Sequence, residues 1–174
     1  MRCMTRALLT LTFALALLAG CGGGDDGGGS GGGGDALSKD EFVAEANKIC
    51  REGEQKITEV TKDSQAKIQE AKSQEDQQKV VADVLEDTAK EYDPYLERLK
   101  DLNPPQELSE DWDKFVSGVS DAFDLIPELA DATRDGDRQK LEELTDEFTK
   151  IGEDTRPFAQ TNKLDDCLPD NSGA

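Results

Sequence analysis

The chain of 174 residues has no histidine. Imidazole is the usual base beside a serine or cysteine nucleophile and the usual nitrogen ligand of zinc. Its absence excludes Ser-His-Asp and Cys-His catalysis, imidazole-built zinc sites and the Glu-x-x-His di-metal sites of ferritin-like bundles. Basic residues are scarce too, 20 against 39 acidic ones. A surface so acidic repels nucleic acid and anionic headgroups, and no nucleic-acid partner is expected. Strand signals are missing: no stretch alternates with period two for more than a few residues, and no Asn-Gly or Asp-Gly lies between β-branched runs. Aromatic residues make up only 5% of the chain and cysteine occurs four times.

The one long apolar run lies at the N-terminus. Arg2 and Arg6 precede Ala7 to Ala19, and the run closes on Leu18-Ala19-Gly20-Cys21. A basic start, an apolar stretch too short to span a bilayer and small residues before the cut describe an export signal. The last four residues resemble the lipobox of bacterial lipoproteins, which implies diacylglyceryl transfer to the Cys21 thiol and cleavage just before it. Residues 1–20 are then a lipoprotein signal peptide, and the membrane is a partner through acyl chains on Cys21. Two chains hold stably where one binds only reversibly. Plain secretion, with cleavage among Ala14 to Gly20 and a stray Cys21 thiol, is the alternative.

Cysteine bookkeeping fits export. Cys3 leaves with the signal and Cys21 takes the lipid, so Cys50 and Cys167 remain as one pair, most simply a disulfide in an oxidising compartment. Two buried free thiols are the alternative. Loss of Arg2 and Arg6 leaves 18 basic residues beside all 39 acidic ones, a net charge of −21. A basic partner, a cation or simple solubility can follow from that, with solubility the default.

Residues 22–34 are glycine broken only by Asp25, Asp26 and Ser30. Nothing there can bury apolar surface against the entropy of ordering, so residues 21–36 read as lipidated cysteine plus flexible tether, with a root-mean-square reach of about 20 Å. Residues 37–168 are the length of one domain, and 169–174 are a disordered tail.

Within that domain the apolar residues recur at helical spacing. Ser38 and Glu41 form a capping box ahead of a helix over about 39–72, whose stripe runs Phe42, Ala46, Ile49, Gly53, Ile57, Val60. Its second half is weakly apolar and is expected to pack loosely. Ser73 caps a second helix carrying Val80, Val81, Val84, Leu85, Tyr92, Tyr95, Leu96 and Leu99, kinked at Pro94 and stopped at Asn103-Pro104-Pro105. A third runs from about Ser109 with Trp112, Phe115, Val119, Phe123 and Ile126 inward and a bend at Pro127. After an Asp135-Gly136-Asp137 turn, a fourth carries Leu141, Leu144, Phe148, Ile151 and Phe158, kinked or ended by Pro157. The fold class is all-α, an up-down-up-down four-helix bundle, which places the start of the first helix and the end of the fourth, hence Cys50 and Cys167, at the same end.

Ile49-Cys50 in the first helix, the Leu99-x-x-Leu102-x-Pro104-Pro105 break, the Gly136-Asp137 turn and the closing Cys167 resemble the small exported, lipid-anchored helical proteins of Actinobacteria. The resemblance covers residues 35 to about 169. It implies fold and an extracytoplasmic, lipid-anchored location and carries no activity. The chain departs from many such proteins in lacking glycine beside its last cysteine.

Few constellations carry chemistry. Ser64-Gln65-Ala66-Lys67 spells S-x-x-K without a Lys-Thr-Gly or Ser-Asp-Asn partner, so a solvated helix face is the better reading. Asp131, Thr133, Asp135, Asp137, Gln139 and Glu142 fall at positions 1, 3, 5, 7, 9 and 12 of a stretch with Gly136 at position 6, the spacing of a calcium-binding EF-hand loop. Against calcium stand Thr133 in place of an acid, Arg138 in place of an apolar residue and the lack of a second loop. The competing reading is a capping turn. The aromatic residues, Phe148 among them, all lie on apolar stripes and are expected in the core. A ligand groove between helices is conceivable, with no polar group singled out for it. No nucleophile and base pair can be assembled, so the chain is expected not to be an enzyme. The leading expectation is a cell-envelope lipoprotein on the outer face of the membrane, presenting an acidic helical domain to a protein or wall component. A small-ligand or weak calcium-binding module is the second.

Overall fold

The computed structural model describes residues 36–168. The expected signal segment 1–20, Cys21, nearly all of the expected tether 21–36 and the expected tail 169–174 lie outside the described residues. The domain is all-α. Its helices are α1 Lys39–Glu70, α2 Gln74–Lys100, α3 Ser109–Asp124, α4 Ile126–Asp135 and α5 Arg138–Asn162, followed by a closing 3-10 turn, Asp165–Cys167.

Local chemistry accounts for the helix ends. The Ser38 hydroxyl accepts from the Glu41 amide while the Glu41 carboxylate takes the Ser38 amide, so two donors left over at the start of α1 are satisfied. The Ser38 hydroxyl also donates to the Glu41 carboxylate, and that bond, followed by the one from the Ser38 amide, holds the Glu41 carboxyl below its ordinary pKa. Ser73 and Asp137 cap α2 and α5 through the Asp76 and Lys140 amides. Gly136 ends α4 at φ 67°, a left-handed conformation that glycine adopts without a side-chain clash.

Prolines behave differently at different positions. The third arm is not one bent helix but two, broken at Leu125, with Pro127 in the first turn of α4, where its missing amide leaves no bond unmade. Pro94 and Pro157 sit inside α2 and α5, and both helices run through them. Pro157 does not end α5, which continues to Asn162. Both prolines are exposed, so the carbonyls four residues back, deprived of a partner, can turn to water.

Side-chain pairing fixes the alternating direction of the four arms. Between α1 and α2, Glu52 meets Arg98 at 2.6 Å and Lys56 meets Glu91 at 3.3 Å, while the Leu37 amide donates to the Asn103 carbonyl. The Arg98 hydrogen bond is the main reason the Glu52 carboxyl titrates below its ordinary range. Between α2 and the third arm, Tyr92 stacks on Phe123 with centroids 4.1 Å apart and Arg134 binds Glu86 at 2.8 Å. Helix α5 returns along that arm, with Lys140 on Glu128 and Thr155 against Gly118.

The two ends of this bundle differ. Around Trp112 the core is large and continuous: Phe42, Ile49, Leu96, Leu99, Phe115, Val116 and Leu164 are buried together. Phe42 packs edge-on to the indole at 4.8 Å and Phe115 and Phe158 flank it. At the other end the buried residues are mostly small or isolated: Ala82, Ala130, Ala132, Ile126 and Leu144. There the second half of α1 is largely exposed, as its weak stripe predicts, and Val81, expected inward, is 37% exposed while Ala82 takes the inner position.

A clasp closes the large-core end. Cys50 and Cys167 form a disulfide with Cα atoms 5.0 Å apart across 117 residues of sequence. Closing so long a loop removes unfolded-state entropy equivalent to about 4 to 5 kcal/mol. The Asn47 amide donates to the Lys163 carbonyl, and its oxygen accepts from the Asp166 amide. Arg51 meets Asp166 at 2.7 Å, in a half-exposed pair that adds only about 0 to 1 kcal/mol.

Candidate functional site

Because the end of α5 reaches α1 through the closing turn and the disulfide, the two helices are held together at one end only. A groove opens beside the clasp, between α1 and α5, with α3 and Tyr92 of α2 as its floor. Its volume is about 460 Å³, within the range of small-molecule sites. Cys50 and Ile57 of α1, Val119, Ala122 and Phe123 of α3, and Phe148, Ile151, Gly152, Thr155 and Arg156 of α5 line it, with Cys167 and Leu168 closing the clasped end. Most of this wall is aliphatic, aromatic or sulfur.

The two glycines facing α2 and α5 explain how the walls stand. A side chain at Gly53 would meet the Tyr92 ring at 2.5 Å, and one at Gly118 would collide with the Thr155 methyl group. Glycine at these places brings α1 onto α2 and α3 onto α5. Gly152 is different. It lies in the middle of α5, where glycine costs about 1 kcal/mol relative to alanine, yet a side chain there would meet nothing within 4 Å. Its backbone faces the open groove.

Phe148, one turn earlier, was expected in the core and is 43% exposed. The stripe is real, but the groove interrupts what would cover it. Arg156, one turn after Gly152, is half-buried. Tyr92 is buried on the floor, and burial pushes its hydroxyl pKa up to about 12. A wider furrow of about 730 Å³ on the outer side of α3 and α5 is lined by Asp111, Lys114, Asp121 and Asp154 among others. It is shallower than the groove, and charged side chains stand among Phe115, Ile151 and Phe158 in its lining.

The calcium spacing meets a different geometry. Asp131, Thr133 and Asp135 belong to α4, Gly136 and Asp137 make the turn, and Glu142 already lies in α5. Asp131 pairs with Arg134 at 2.8 Å, the Thr133 hydroxyl donates to the Leu129 carbonyl, and Asp137 caps α5. The stretch is two helices and a short turn rather than a twelve-residue loop. Among the described residues no group of three or more acidic or cysteine side chains is placed to hold a metal ion. In the S-x-x-K stretch the Ser64 hydroxyl is buried and donates to the Val60 carbonyl at 2.7 Å, while Lys67 is exposed.

Sequence reasoning placed both cysteines at one end of the bundle and allowed a groove between helices, but did not locate it or name the residues that line it. The available signal was Gly152, a helix-poor residue within an apolar stripe and far from any turn. Among the described residues no helix is long and apolar enough to cross a membrane. Compared with known protein families, curated proteins and solved structures, the chain matches none.

Proposed function

We propose that this protein is a lipid-anchored, extracytoplasmic binding protein without catalytic activity, held at the membrane by acyl chains on Cys21 and taking a small apolar ligand into the groove between α1 and α5. The groove, with Gly152 open to it, carries the reading. An apolar recess beside a disulfide and a glycine tolerated at a cost in helix stability are explained together if the recess takes another molecule. The acidic exterior then keeps the tethered domain soluble, and presentation of that surface to an envelope partner becomes the lesser reading.

The test uses the chain from Gly22 onward, which retains the whole described domain, with its disulfide formed. Nile red, a neutral apolar dye, is expected to bind saturably at one per chain. Gly152→Leu should fill the groove, abolish that binding and leave the thermal midpoint unchanged or raised, since leucine is the better helix former. Non-saturable binding, or binding indifferent to this substitution, would sink the reading. Mass spectrometry of the exported protein tests the anchor: Cys21 at the N-terminus with acyl groups attached is the expected species.

A further inference from the structure

We infer that the occupant of the groove is a free single-chain amphiphile with a carboxylate head, its tail along the apolar wall and its head on Arg156. This rests on the groove being a ligand site and adds the chemistry of the ligand.

The inference starts from the arginines. Arg51, Arg98 and Arg134 meet carboxylates at 2.7, 2.6 and 2.8 Å. Arg138 is exposed to solvent. Arg156 alone is half-buried in a groove wall and, among the described residues, has no ion-pair partner. In a chain with 39 acidic residues a counterion would be easy to supply. A guanidinium left without one beside an apolar recess is a fork open to an incoming carboxylate, which it matches with two parallel hydrogen bonds.

The wall has a direction. Phe148, Gly152 and Arg156 follow one another at four-residue spacing on α5, so the exposed ring and the guanidinium stand two turns apart, about 12 Å along the helix. An extended tail passing the open Gly152 backbone connects them. Two other charged groups line the groove. Asp166 is engaged by Arg51, and Glu54 is exposed to solvent. One unanswered cation suits a head of single charge, whereas a phosphate monoester would call for a second.

Nile red displacement from the chain starting at Gly22 by dodecanoate, dodecanol and dodecylammonium, all below their micelle concentrations, is the test. Dodecanoate should bind about ten-fold more tightly than dodecanol, the scale of one hydrogen bond to a charged group at a partly solvated site. Arg156→Gln should bring dodecanoate down to the level of dodecanol and leave dodecanol within about two-fold of its original affinity. Equal binding of acid and alcohol by the unmodified chain would overturn the proposal, as would tightest binding of the ammonium, which would give the head to Glu54. Equal weakening of acid and alcohol by Arg156→Gln would make Arg156 structural and also overturn it. Failure of Nile red itself to bind removes the groove as a ligand site, a separate result. A dimer in sedimentation that excludes the dye would assign the groove to a second copy and reject the amphiphile.

Discussion

The clasped end of the bundle and the opposite end are built from the same four arms, yet they solve the packing problem differently. At the clasped end an indole, three phenyl rings and several large aliphatic side chains fill the space between helices, and a disulfide joins the first and last of them. At the other end alanines and a few isolated larger residues suffice, and α5 from Thr145 to Lys150 is exposed throughout. Stability is concentrated where the chain termini of the domain meet. The groove lies beside this stable region, so its walls can stay apart without the domain falling open.

Removing the clasp should break that contrast most strongly. Reduction, or the double substitution Cys50→Ser and Cys167→Ser, is expected to lower unfolding free energy by about 4 to 5 kcal/mol, measured by urea unfolding as a lower midpoint with a steeper slope, because the unlinked unfolded chain exposes more surface. A loss below about 1 kcal/mol would show that the helices hold this end without the covalent link.

Next come side chains compared across the molecule. Leu99→Ala removes a fully buried residue of the large core and should cost about 2 to 5 kcal/mol. Phe148→Ala removes a larger side chain from the groove and should change stability by less than about 0.5 kcal/mol. Similar losses at both sites would mean that the groove is closed in solution.

A third effect is a pH dependence at Tyr92, which belongs to the large core and also lines the groove. The Tyr92 hydroxyl is raised to about 12 by burial, while in the unfolded chain it titrates near 10. Between these values the unfolded state loses its proton and the folded state keeps it, so stability is fully present below about pH 10 and falls by about 2 to 3 kcal/mol as pH rises to about 12. Tyr92→Phe should flatten that slope in denaturation curves taken across the same window. An unchanged slope would place the alkaline loss elsewhere.

How much of this was legible in the sequence depends on the kind of signal. Caps are local chemistry, and Ser38, Ser73, Gly136 and Asp137 act as their neighbours in the chain require. The meeting of Cys50 with Cys167 followed from the alternation of four arms and an even number of remaining thiols. Proline was harder. The lost hydrogen bond is certain, but its effect depends on whether the helix face is wet, which the chain order alone does not reveal at Pro94 or Pro157. Periodicity has a similar blind spot. It assigns Phe148 and Val81 to an apolar stripe without saying whether another helix arrives to cover them, so a packed seam and an open groove look alike. The oxygen spacing from Asp131 to Glu142 has a related limit, since spacing does not say how the backbone winds. Helix-forming residues on both sides of Gly136 wind most of that stretch into α4 and α5, and the side chains turn to caps and ion pairs instead of converging.

The covalent ring made by Cys50 and Cys167 has a further consequence. Every interhelical connection of the domain lies between those two residues. A protease that cuts any one of them leaves two pieces still joined through sulfur, so a nicked molecule keeps both halves, and the damage shows on a gel only after a reductant is added.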